Sequence, residues 1–377
     1  MDYGKLALEK HKALRGKIEV TLKDTLDSRD KLSTYYTPGV GAVSTYVAEH
    51  PDEARDYTWL NNTVAVVSDG SAVLGLGDIG PLGALPVMEG KAMLFKHFAG
   101  IDAVPIVLDV HTADEIVAAV KAIAPSFGGI NLEDIAAPLC FEVEERLKKE
   151  LAIPVMHDDQ HGTAIVTLAG LINACKVTGR QLQDAKIVVA GAGAAGTAIV
   201  KLLHRYAGPR IFVVDSKGIV SANRTDLNDE KKALLEYSNL SGIDGSLADA
   251  VEGADVFIGV SKAGLLTPEM VKSMGKNAII FAMANPTPEI MPDVAREAGA
   301  AVVATGRSDF PNQVNNALAF PGIFRGALDN RVREITDEHK VQAAEAIAAL
   351  VPQPDAGHII PSVLEPGLAA AVAKVIS

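Results

Sequence analysis

A chain of 377 residues has room for two domains, each with its own core. Hydrophobic residues make up 48% and charged residues 22%, a composition that excludes a disordered chain. The net charge of -12 argues against nonspecific nucleic-acid binding, which needs Lys and Arg to neutralise phosphates, although local basic groups can still hold an anionic substrate.

The two cysteines, Cys140 and Cys175, sit in apolar, helix-like runs, so neither a disulfide framework nor a cysteine-ligated zinc site is expected. Residues 1–12 are charged throughout and lack the apolar core of a signal peptide. No run reaches roughly 18 uninterrupted apolar residues, the length of a membrane span. The expectation is a cytoplasmic protein without a membrane span.

In chain order, the segment before Tyr36 reads as mainly helical. Short apolar runs ending in polar or acidic residues follow at 63–70, 103–110, 128–135 and 153–159. A second series lies at 185–193, 210–216, 254–261, 278–286 and 300–306. Rich in Val and Ile, these runs predict strands buried on both faces. The helical patterns at 113–124 and 196–206 predict the crossovers of parallel sheets. From Thr336 an Ala-rich helix, a Pro-punctuated loop and another helix complete the chain. The fold class is therefore α/β, with two domains built on parallel sheets, the second of Rossmann type. The first domain is expected over 1–158 and the second over 159–315, with the tail 316–377 packing back on the first.

Ligands gather at the carboxyl ends of strands in an open parallel sheet, and acids stand at such ends here. Glu133-Asp134 follows one run and Asp158-Asp159 another. Two such pairs suit a hard cation such as Mg²⁺ or Mn²⁺, which takes carboxylates, water and substrate oxygens. Taken singly, each pair fits a solvated loop or a helix start better than a metal site. His157 and His161 flank the second pair, but their spacing is not that of a helical zinc pair, and core or loop histidines are expected. Lys91 and Lys96 lie in a largely apolar helical stretch. A lysine in an apolar pocket has a depressed pKa and suits a general base, whereas most lysines snorkel to water. Tyr36, in the turn 35–39, is either an acid or a packed aromatic.

The clearest local signal is strand KIVVAG running into Gly191, Gly193 and Gly196, followed by a helix. Spaced as G-x-G-x-x-G, these glycines permit a tight turn and let backbone N–H groups, including those around Ala194 and Ala195, approach a pyrophosphate. Asp215 ends the next strand, where it can hold a ribose hydroxyl. That carboxylate favours NAD, because it repels a 2′-phosphate. Ser216 and Lys217 follow at once, and either can bind that phosphate, so NAD and NADP both stay open.

Together these pieces resemble the malic enzymes. The resemblance runs from about Tyr36 to Gly326, carried by YTPGV at 36–40, SDGSAVLGLGDIGP at 68–81, PVMEGKAMLFK at 86–96, NLEDI at 131–135, HDDQHGTA at 157–164, GAGAAG at 191–196, ANPTPE at 284–289 and PNQVNNALAFPG at 311–322. It implies oxidative decarboxylation of malate to pyruvate and carbon dioxide with NAD(P) and a divalent metal. Lys91, alone or with Asp158, would be the general base and Tyr36 the general acid. Glu133, Asp134 and Asp159 would hold the metal. Asn285, Asn315 and Asn316 would hold substrate carboxylate, Asn285 also lying beside the cofactor. One departure stands out. Larger malic enzymes carry an arginine before LGLGD that grips a carboxylate, and here Gly70-Ser71-Ala72 takes its place, leaving Ser71 or backbone N–H groups to substitute. A malolactic enzyme and a catalytically silent nucleotide-sensing protein are the competing readings. The apolar residues around Leu6, Leu14 and Leu22 need a partner surface, and a homodimer is expected to supply it.

Overall fold

The computed structural model describes residues 3–74 and 76–377. Four short helices occupy the amino-terminal region: α1 (Tyr3–Leu14), α2 (Arg29–Tyr35), α3 (Gly39–Glu49) and α4 (Ala54–Tyr57), none with a buried residue. Residues 15–28 between the first two are not helical, so the helical part of the segment before Tyr36 lies at its two ends.

The first sheet contains β1 (Thr63–Ser68), β2 (Asp102–Val107), β3 (Gly129–Leu132) and β4 (Val155–His157), all parallel, in the order β2-β1-β3-β4. Its crossovers are α5 (Gly80–Ala99), α6 (Ala113–Ile123) and α7 (Leu139–Glu150). The second sheet follows α8 (Asp158–Thr178), with β5 (Lys186–Ala190), β6 (Arg210–Asp215), β7 (Gly218–Ile219), β8 (Val256–Gly259), β9 (Ile279–Ala282) and β10 (Val302–Thr305) in the order β10-β9-β8-β5-β6-β7. Only β7 runs antiparallel. It is a two-residue return after Asp215, too short for any hydrophobic period to announce. Helix α9 (Ala194–Ala207) links β5 to β6, and α10 (Asp229–Ala233), α11 (Leu247–Val251), α12 (Pro268–Ser273) and α13 (Pro292–Glu297) complete the second unit. The tail forms α14 (Phe320–Asp329), α15 (Asp337–Ala349) and α16 (Leu368–Ala373).

The Val/Ile runs are strands because each is apolar on both faces. All six residues of β1, and all four of β8, β9 and β10, are buried. Three apolar layers result. One, containing Ile116, Val143 and Leu147, covers the outer face of the first sheet, and another, containing Val251, Val271 and Ala295, covers the outer face of the second. The largest lies between the sheets and is shared by both, joining Val64 and Phe95 to Leu168, Ile187, Phe281 and Phe320. Within it, α14 packs on α5 and α16, and α15 on α8. Helix α8 is therefore sheathed on all sides, with buried residues along nearly its whole length. Its amino terminus points back at the carboxyl ends of the first sheet, where the acidic residues are.

Candidate active site

Lys91 reaches the site because of helical periodicity. In α5 the buried residues are Ala84, Met88, Lys91, Ala92 and Phe95, one inward stripe with a lysine in it. Its side chain is 8% exposed. Nζ lies 2.5 Å from Asp158 Oδ2, 2.9 Å from Glu133 Oε1 and 4.4 Å from the centre of the Phe320 ring. This corrects the apolar-pocket reading. Burial does pull Lys91 down, but the charges of Asp158, Glu133 and Asp159 outweigh it and hold the ammonium above its ordinary value. The pocket is acidic, with Phe320 as an aromatic wall.

Glu133 and Asp134 follow β3, and Asp158 and Asp159 open α8 directly after β4. Since β3 and β4 are parallel neighbours, with Leu132 paired to His157, both pairs arrive at one edge. Carboxylate oxygens of Glu133, Asp134 and Asp159 lie within 4.8 Å of one another. Asp134 sits at φ 53°, in the left-handed region that Asp tolerates better than most residues. Its N–H donates to Asp159 Oδ2 at 2.8 Å, which ties the two pairs together. Burial, reinforced by Asp159, pushes Asp134 up to about 7, and burial also raises Glu133 and Asp158. Among the described residues, Asp134 Oδ2 and Asp158 Oδ1 are buried without a hydrogen-bond partner. An all-oxygen cluster with an orphaned buried lone pair fits a hard divalent cation. Neither histidine belongs to this cluster among the described residues. His157 is fully buried, and His161 bonds Glu144 at 2.9 Å.

The loop 68–80 commits the groups expected to replace an arginine. Ser71 donates its hydroxyl proton to Asp69 at 2.6 Å and accepts from the Ala136 N–H at 2.9 Å. The N–H groups of Gly70, Ser71, Ala72 and Val73 donate to Ser68, Asp69, Asp134 and Gly77 respectively. The loop is thus tied to the acidic pair rather than left open for a carboxylate. Asn315 accepts the Ala317 N–H through Oδ1, so its amide N–H₂ stays available. Asn316 stands near Gly162, where a methyl group would lie 2.9 Å from Asn316 Cβ and 2.0 Å from Asp158 Oδ1. Only glycine fits there. Asn285 is exposed, precedes Pro286 and lies beside Gly306. Tyr36 stands at the end of α2, 67% exposed, without the enclosure that Lys91 has.

The glycine turn behaves as its spacing predicts. Gly191 has φ 130°, a Cβ at Gly196 would sit 1.8 Å from the Gly191 carbonyl oxygen, and Gly193 faces open space at the start of α9. Asp215, however, is already saturated. Its carboxylate accepts from the Lys217 N–H (2.9 Å), twice from Arg224 (2.8 and 3.0 Å) and from Lys231 Nζ (2.7 Å). Burial opposes the charge, but the bonds from Arg224 and Lys231 prevail and bring Asp215 to about 2. Lys217 itself pairs with Asp226, and Ser216 is an exposed turn residue. Arg224 and Lys231 were not legible beforehand, since they lie nine and sixteen residues past Asp215 with no period linking them.

Residues 160–375 match the family model of the malic enzyme NAD binding domain, and residues 15–115 and 111–148 match that of the malic enzyme N-terminal domain. The chain is 57% identical over 374 residues to the bifunctional malic/malolactic enzyme of Bacillus subtilis, covering 98% of this chain and 91% of that one. It is 49% identical over 357 residues to the NADP-dependent malic enzyme of Halomonas elongata, covering 92% and 82%. The crystal structure of an NAD-dependent malic enzyme from Thermotoga maritima superposes with a TM-score of 0.95 at 51% identity, over 98% of each chain.

Proposed function

The chain belongs to the malic enzyme family, and from that premise we infer how its residues carry out the NAD(P)-linked oxidative decarboxylation of malate to pyruvate and carbon dioxide. The observation that carries the assignment of roles is Lys91, buried between Asp158 and Glu133 at the edge of the three-carboxylate cluster.

Lys91 is the general base for the C2 hydroxyl. Glu133, Asp134 and Asp159 would hold a divalent cation, Mg²⁺ or Mn²⁺, which when bound polarises the oxygen on C2 and absorbs charge as carbon dioxide departs. With those carboxylates so engaged, the charges of Glu133 and Asp159 on Lys91 would be offset, and Asp158 alone would still favour its ammonium. After releasing its own proton to water, neutral Lys91 accepts the hydroxyl proton at Nζ and shares it with Asp158, 2.5 Å away. The Gly191–Gly196 turn would hold the dinucleotide, which would supply the hydride acceptor for C2. The amide N–H groups of Asn315 and Asn316, together with Asn285, are the donors left for substrate carboxylate, because the loop at Ser71 is spent on internal bonds. Tyr36 supplies the proton to C3 after decarboxylation.

In domain terms we read residues 1–158 and 159–315 as the two units, with the tail 316–377 returning to the first through α14. Among the described residues no helix is long and apolar enough to cross a membrane. The amino-terminal region exposes Leu8, Val20, Leu22 and Tyr36, with Val20 at 92%. An apolar surface of this extent is the mark of an interface, and we read it as the contact of a homodimer.

The test is a steady-state assay with malate, Mn²⁺ and each cofactor, following reduced cofactor and pyruvate together. One-to-one formation is expected. Zero turnover with intact cofactor binding would leave only a nucleotide-sensing protein. The likeness to the Bacillus subtilis bifunctional malic/malolactic enzyme favours a second reading, in which malate is converted to lactate while the cofactor would stay bound. Lactate forming without accumulation of reduced cofactor is its signature.

A further inference from the structure

Glu144 is a buried carboxylate that the chemistry above does not use. It projects from α7, is 6% exposed, and bonds to the start of α8. Its Oε1 accepts the His157 N–H at 3.0 Å, and its Oε2 takes His161 Nε2 at 2.9 Å and Gln160 Nε2 at 3.5 Å. An ionised carboxylate only accepts, so His161 presents Nε2–H. Burial would raise Glu144, but His161, with Lys340 behind it, outweighs burial and brings it to about 2.

The place of these bonds is informative. His157 is the N-cap of α8, and its side chain makes no capping bond. Gln160 occupies the third helical position, whose side chain ordinarily closes a capping box on the N-cap N–H. Here that N–H goes to Glu144 instead, and Gln160 leans on the same carboxylate. A negative group brought in from another helix thus satisfies the positive start of α8. Two residues of that turn carry the site: Asp158, against Lys91, and Asp159, in the carboxylate cluster. Gly162 closes the turn from the other side, since any side chain there would strike Asp158.

We propose that Glu144 is a positioning residue: from α7 it clamps the first turn of α8, and so fixes where Asp158 meets Lys91 and where Asp159 meets Glu133 and Asp134. The proposal rests on the reading of that cluster as the metal seat. Groups that orient metal ligands weaken metal binding about 10- to 100-fold when lost.

The test is direct Mn²⁺ binding to the full chain without substrate, read by the paramagnetic resonance of free Mn²⁺, alongside NADH binding by fluorescence. Asp159→Ala serves as the control that probes the seat itself. Glu144→Ala should weaken Mn²⁺ binding tenfold or more, and Glu144→Gln, which keeps an acceptor for His157, should weaken it less, both with NADH affinity unchanged. A wild-type chain whose Mn²⁺ binding is lost in Asp159→Ala but unchanged in both Glu144 variants would overturn the proposal and leave the metal seat standing. Parallel loss of NADH and Mn²⁺ binding in Glu144→Gln would also overturn it, reducing Glu144 to a general packing role. If Glu144→Ala does not fold, Glu144→Gln alone decides on the same two readouts.

Discussion

Lys91 Nζ and Asp158 Oδ2 are 2.5 Å apart, both buried, while the other oxygen of that carboxylate has no hydrogen-bond partner among the described residues. A proton taken up by Lys91 therefore has a second acceptor beside it, and the two groups form one unit. Asp158→Asn keeps the shape and removes the charge. It should lower kcat about 10²- to 10⁴-fold, the usual share of a positioned acid–base group, with NADH binding intact. Steady-state kinetics beside a fluorescence titration measure both. A kcat within a few-fold of wild type would exclude Asp158 from the proton path.

The acidic cluster should make the metal-free protein sensitive to pH. Asp134 is pushed up to about 7, chiefly by burial, against an ordinary value of 3.8, so the folded chain binds its proton more tightly than the unfolded one. Stability from a raised carboxyl is fully present below the unfolded value and is lost as pH rises through the folded one. With divalent ions chelated, Tm should fall between about pH 4 and pH 7, and Asp134→Asn should flatten that fall. Mn²⁺ should restore stability most at the alkaline end, where the cluster is most charged, and less in Asp159→Ala. Calorimetry across this pH range is the check, and a chelated Tm that rises through the window would contradict the assignment.

Cofactor choice turns on Asp215. Read from sequence, its carboxylate rejects a 2′-phosphate. In the structure its lone pairs are spent on Lys217, Arg224 and Lys231, and with Asp226 the cluster holds three cations to two carboxylates. We expect NADP to be used with a kcat/KM within tenfold of NAD, about 1.4 kcal/mol. Lys231→Ala should cost NADP more than NAD. A tenfold or larger preference for NAD, unmoved by Lys231→Ala, would restore Asp215 to its simpler role.

How far the sequence speaks depends on the range over which each signal acts. The strands were legible because burial on both faces leaves continuous Val/Ile runs, as at 63–68 and 278–282. The glycine turn was legible because Gly191 and Gly196 meet within five residues. The acidic pairs were legible as candidates, but their convergence needed the β3–β4 pairing that brings Leu132 beside His157. The electrostatic state of Lys91 was misread, since Met88, Ala92 and Phe95 share its helix face while the acids that hold its proton lie over 40 residues away. Arg224 on Asp215, Glu144 on His157 and the committed hydroxyl of Ser71 are contacts between segments with no local pattern. They appear only once the chain is folded.

Tyr36 poses the last question, because the group assigned to protonate C3 is mostly open to solvent. An acid in water competes poorly with solvent at a reacting carbon, so the assigned role requires that something cover it. The surrounding residues Leu32, Tyr35, Val40 and Val43 are exposed as well, so the uncovered face extends across α2 and α3. A second copy laid on this face by a two-fold axis would bury it and bring each Tyr36 toward the Lys91 of its neighbour. Tyr36→Phe and Lys91→Ala are each expected to be inactive as pure proteins. If the tyrosine acts across the interface, a mixed dimer has one site lacking both groups and one site intact. Mixing the two variants under conditions of subunit exchange should then return activity, approaching a quarter of wild type at equal amounts if exchange is random. If Tyr36 serves its own subunit, every site lacks one group and the mixture stays silent. Native mass spectrometry establishes exchange independently of activity, so a silent mixture containing mixed dimers would end the shared-site reading and leave Lys91 and the carboxylate cluster as assigned.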